Sequence, residues 1–142
     1  MRGRRLGIPR RVRCALLLRR DRGSAVAEFA MVSGLVVVLG MGIFQLGLVL
    51  YVRNALISSA SEGARLGARS GSSLGEAVSR TQDLIQRDLS ASYAGGVTAT
   101  TETTSAGVRV VEVTITAPTP VIGLLGPTGS MTVHGRAFEE AQ

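Results

Sequence analysis

A chain of 142 residues has room for one small domain beside any membrane segment. Its net charge of +6 is unevenly spread: nine of its sixteen arginines precede residue 24 against one acid, Asp21, and the rest carries a slight excess of acid. The basic character therefore belongs to a leader, which lacks the interleaved aromatics and recognition element of a nucleic-acid binder, and the single cysteine, Cys14, excludes an intrachain disulfide.

The leader, residues 1–23, is followed by a run of 24 uncharged residues from Phe29 to Val52, bounded by Glu28 and Arg53. As a helix rising about 1.5 Å per residue it would be about 36 Å long, enough to cross a hydrocarbon core of about 30 Å with some tilt. The apolar part of an ordinary cleaved signal is shorter, about 7–15 residues. Ser58-Ser59-Ala60 after the run keeps an atypical signal peptide as an alternative. Nine arginines stand before the span, and only Arg53, Arg65 and Arg69 closely follow it. That asymmetry predicts a cytoplasmic N-terminus and a C-terminal part outside, in the cell membrane.

The span contains Gly34, Gly40, Gly42 and Gly47, which let helices approach closely in a membrane. Beyond it, Ala55, Ser59, Gly63 and Gly67 recur every four residues, as do Ala60, Ala64 and Ala68. The two rows predict a helix continuing to about residue 70 with a smooth stripe of small side chains. Such a stripe suits packing against other helices or against the chain's own small domain, and the sequence does not choose between them. Arg53, Glu62, Arg65 and Arg69 lie off the stripe, with Glu62 and Arg65 spaced for a weak pair.

Glu28 carries the most information. A carboxylate at the edge of an apolar helix is costly unless a helix N-terminus or a cation offsets it. It stands in Gly23-Ser24-Ala25-Val26-Ala27-Glu28-Phe29. Here the chain resembles type IV prepilins at their processing site: a basic leader, a glycine, a glutamate five residues on, a phenylalanine and an apolar helix. Over residues 22–70 it is similar, more particularly, to the TadE-like pseudopilins of Tad (Flp-type) pilus systems. The residues that carry this likeness are Arg53-Asn54-Ala55-Leu56 and Ser61-Glu62-Gly63-Ala64-Arg65, together with the segment around Glu28 and Phe29. The resemblance implies cleavage by a prepilin peptidase between Gly23 and Ser24, with Glu28 as the fifth mature residue and a partner for the new α-amino group. It implies other pilins or pseudopilins and the pilus assembly platform as partners. It implies no cofactor, no small-molecule substrate and no catalysis. An unprocessed single-pass anchor with a small binding domain is the competing reading.

Residues 71–142 predict a small α+β domain outside the cytoplasm. Leu74, Ala77, Val78, Leu84, Ile85 and Leu89 give an amphipathic helix interrupted at Thr81 and Gln82, with Gly71-Ser72-Ser73 as break and cap. Val97–Thr104 and Val108–Thr116 predict a β-hairpin turning at Ser105-Ala106-Gly107. Val108 and Val110 run out of phase with Val111, Val113 and Ile115, which predicts a bulge near Val110. Met131–Phe138 predicts a third strand. The fold class is thus a long N-terminal transmembrane helix, a second helix and an antiparallel sheet of about three strands, the general plan of pilin-like proteins. Pro118, Pro120 and Pro127 bracket the apolar Val121–Leu125 run. Core packing is its first reading, ahead of contact with the outer leaflet or a partner.

Catalytic signals are weak. Gly71-Ser72-Ser73-Leu74-Gly75 matches Gly-x-Ser-x-Gly, but a helix precedes it where the nucleophile elbow needs a strand. The single histidine, His134, has no evident acid partner in the sequence. No Cys/His cluster suits a metal, and no phosphate loop is present.

Overall fold

The computed structural model describes the backbone of residues 10–121 and 129–140, with side chains from Gly23 onward. The leader's arginines, Cys14, and the Ile122–Leu125 run with Pro127 lie outside the described side chains. The chain forms helix α1 (Arg10–Gly67), helix α2 (Leu74–Asp88), a short 3₁₀ turn (Ala91–Tyr93), and strands β1 (Val97–Thr103), β2 (Arg109–Pro118) and β3 (Ser130–Phe138). The class is α+β, as the sequence predicts. Internal contacts divide the chain between Ile43 and Phe44.

The N-terminal unit, up to Ile43, is helical wherever it is described. Phe29, Met31, Leu35, Val36, Val37, Val38 and Leu39 are each more than half exposed and point in all directions around it. A helix apolar on every side belongs in an apolar surround. Its most apolar window has a mean hydropathy of 2.4, and the helix is long enough to cross a membrane.

The C-terminal unit begins at Phe44. Two helices cover one face of the sheet, whose order is β1-β2-β3 with both pairings antiparallel. Val111, Val113, Ile115 and Ala117 of β2 are buried, as is Val133 of β3. They form the core with Val52, Leu56, Ala60 and Ala64 of α1 and Ala77 and Ile85 of α2. The predicted bulge at Val110 is absent. Pairing between β1 and β2 runs unbroken from Val97 opposite Ile115 to Thr103 opposite Arg109. Val110 simply takes its place on the other sheet face, and Val108 lies in the turn, so their phase needs no extra residue. The turn closes with Thr104 and Val108 bonded to one another, and Gly107 takes the positive φ of 79° that a residue with a side chain resists.

Helix α2 begins at a capping box: Ser73 Oγ accepts from the Glu76 amide at 3.2 Å, and Glu76 accepts from the Ser73 amide at 2.9 Å. The C-terminal end returns to α1, where the Glu140 amide donates to the Ala68 carbonyl at 2.9 Å. That bond satisfies one of the carbonyls a helix end leaves open.

Candidate functional site

Gly23, Ser24, Glu28 and Phe29 all lie on α1 and are exposed, Phe29 to 73%. A Cβ placed on Gly23 would meet nothing within 4 Å. The same is true at Gly34, Gly40, Gly42 and Gly47. These glycines answer to no contact within the described chain.

Further along α1 the situation reverses. From Gln45 the helix acquires a covered face. Gln45, Leu48 and Val49 are half-buried, Val52 and Leu56 are buried, and Ser59, Ala60, Gly63, Ala64, Gly67 and Ala68 follow. Their spacing of three and four residues traces one side of a helix. Side chains on this face shrink along the chain because the domain comes closer. A Cβ on Gly63 would lie 2.9 Å from the Ala77 carbonyl and would collide with the Thr81 hydroxyl. One on Gly67 would lie 2.8 Å from Ala77 Cβ and 3.3 Å from Val111 Cγ1. On the sheet side, Gly135 of β3 lies against the backbone of Ala60 and Ser61, leaving no room for a side chain.

The small-residue stripe is therefore occupied by the chain's own domain. Of the two packings open to it, the structure realises the internal one. Gly63 is brought against α2 and Gly67 against α2 and β2, Ser59 is buried on the same face with its hydroxyl donating to the Ala55 carbonyl at 3.0 Å, and Ala55 is only half-covered at the stripe's margin. Thr81, which interrupts the apolar pattern of α2, is fully buried. Its hydroxyl donates to the Ala77 carbonyl at 2.8 Å, so no polar atom is stranded against Gly63. Off the stripe, Arg65 and Glu62 pair at 3.5 Å in solvent, the weak pair their spacing predicts.

The opposite face of the sheet carries a polar cluster. Glu112 on β2 is 8% exposed. It accepts a hydrogen bond from Arg136 Nε, and its other oxygen lies 3.0 Å from His134 Nδ1. His134 Nδ1 also lies 3.1 Å from the Thr114 hydroxyl. Register explains the grouping, since Glu112 faces Arg136 and Thr114 faces His134 across the β2–β3 pair. His134 therefore does have an acid partner. It is 22 residues away in sequence, and only the β2–β3 register could have revealed it. The Arg136 hydrogen bond holds the Glu112 carboxyl below its ordinary range, with burial opposing and His134 assisting. The described residues contain no group of three or more potential metal ligands. Its evident work is to tie β2 to β3.

These features define a class: an α+β domain carried on a helix whose opening stretch is bare, apolar and of membrane-spanning length. Residues 23–65 match the family model described as TadE-like protein. The matched stretch starts on Gly23 and covers the span and most of the covered stripe, so the TadE-like resemblance read over residues 22–70 is borne out over residues 23–65. Over that stretch the chain is similar to TadE-like proteins, and together with the apolar helix this likeness suggests a single-pass membrane protein related to Tad pilus systems. Comparison with curated proteins gave no match. Comparison with solved structures also gave none.

Proposed function

We propose that this chain is a minor pseudopilin of a Tad/Flp-type pilus assembly or secretion system. In this reading it is cut by a prepilin peptidase, stays on the membrane by its helix, and works by packing rather than catalysis. The observation that carries the reading is the TadE-like match beginning on Gly23, with Glu28 and Phe29 following at prepilin spacing.

Two physical features support it. Cleavage after Gly23 would remove eight units of net positive charge and create an α-amino group four residues before Glu28. A carboxylate and an ammonium can share an apolar surround that neither tolerates unpaired. The second feature is the division of labour along α1. The stripe from Ser59 to Ala68 is used internally, whereas Gly34, Gly40, Gly42 and Gly47 have open space beside them. Partner pilin helices would therefore pack on the span itself, where close approach replaces a hydrophobic driving force. The leader would lie in the cytoplasm, the domain outside, in the cytoplasmic membrane.

The test is the mature N-terminus, read by mass spectrometry of the membrane-bound protein from cells with an active prepilin peptidase. Ser24 is expected as the first residue. Gly23→Leu should leave a full-length, inserted precursor, and Glu28→Ala should still be cut but assemble poorly. An intact N-terminus would replace the pseudopilin reading with the unprocessed anchor. A new end near Ser61 would indicate an ordinary signal peptide.

A further inference from the structure

The domain grips α1 lower than the charge pattern implies. Gln45 Nε2 donates to the Pro120 carbonyl at 2.8 Å. Gln45 lies seven residues before Val52, the end of the uncharged run. Along a helix, the eight residues to Arg53 put Gln45 about 12 Å on the membrane side of that charge. At the same level the uncovered faces of α1 remain apolar and open: Leu46 is 61% exposed, Leu50 47% and Tyr51 60%. One side of α1 here carries apolar groups that belong in lipid, and the other side carries the Pro118–Val121 end of the domain.

In a lipid surround polar main-chain groups need partners from the protein, and several at that end have them or are absent. Pro118 and Pro120 have no N–H to satisfy. The Thr119 amide, between them, donates to the Gly129 carbonyl at 2.9 Å. The Pro120 carbonyl is taken by Gln45. Pro120 is buried, and Val121 presents an apolar side chain, 36% exposed, beside it. A glutamine in an otherwise apolar helix is costly unless paired, and pairing it with a carbonyl that has lost water offsets both costs.

We propose that the Pro118–Val121 end of the domain is immersed in the bilayer, on the leaflet from which the domain emerges, with Gln45 as its docking point on the helix. The occupant of the surface around Val121 is lipid acyl chain. This rests on the reading of α1 as a membrane span, and it adds that the domain is seated partly inside the membrane.

The test uses the full chain with Cys14→Ser, reconstituted in phosphatidylcholine vesicles. Single cysteines carry a polarity-sensitive fluorophore at Val121, at Ala106 on the hairpin tip, or at Leu39 in the span. Val121→Cys should show several-fold stronger quenching by nitroxide on the acyl chains than by aqueous iodide, with Ala106→Cys showing the reverse. A Val121 label reached by iodide as readily as the Ala106 label, while the Leu39 label stays quenched from the lipid, would overturn the immersion and leave the span standing. A Leu39 label that iodide also reaches would remove the span, and the immersion with it.

Discussion

Gly63 of α1 lies directly against Thr81 of α2, with no space between them for a single added carbon. Both are buried, and each is unusual for its surroundings: a glycine inside a helix, and a hydroxyl inside a core. Together they let two helices close to a distance that larger side chains would forbid. Gly63→Ala should overpack this contact and destabilise the domain by about 1–3 kcal/mol. Combining it with Thr81→Ala removes the colliding hydroxyl and should recover part of that loss, a coupling of about 0.5–3 kcal/mol in a double-mutant cycle. Thermal unfolding of the four proteins in detergent measures it. Strict additivity would mean that the two residues do not meet.

Glu112 predicts how the domain responds to acid. Its carboxyl lies below the ordinary value when folded, chiefly because Arg136 hydrogen-bonds it, and returns to that value, near 4.5, when the chain unfolds. Between the two values the unfolded chain binds more protons, so stability rises with pH there. The contribution is complete above the unfolded value and is lost as pH falls through the folded one. Glu112→Gln should therefore lower the melting temperature most at neutral pH, and the gap to the parent should close in acid. A gap that stays constant with pH would show that the charge of Glu112 is not what matters. Arg136 is largely solvated, which keeps the effect modest.

Orientation in the membrane has a separate test. A reporter active only outside the cytoplasm, fused after Gln142, should be active. Exchanging the arginines of residues 1–22 for glutamine should reduce that activity, because their charge is what retains the N-terminus. Activity from a cytoplasm-only reporter at Gln142 would reverse the topology.

Much of the architecture is legible from periodicity alone. The uncharged run marks the span, the spacing of Ala77 and Ile85 marks α2, and the alternation of Val111, Val113 and Ile115 marks β2. The Gly23–Glu28–Phe29 spacing marks the TadE-like start. These are local patterns, set by the 3.6-residue turn of a helix and the two-residue repeat of a strand. Thr81 was harder to read, because a buried threonine looks like a break in an apolar stripe until its hydroxyl is seen bonded within its own helix.

What the sequence could not decide was which surface covers each face. A row of small residues announces close packing, but Gly63 and Gly67 look the same whether the neighbour is another chain or Thr81 and Ala77. Glu112 and His134 become partners only once β2 and β3 are in register. Gln45 reads as a lone amide in an apolar run, 75 residues from the carbonyl it binds. Periodicity along a chain fixes which side of an element is apolar or small. The neighbour on that side depends on how distant segments meet, and only the tertiary structure contains that information.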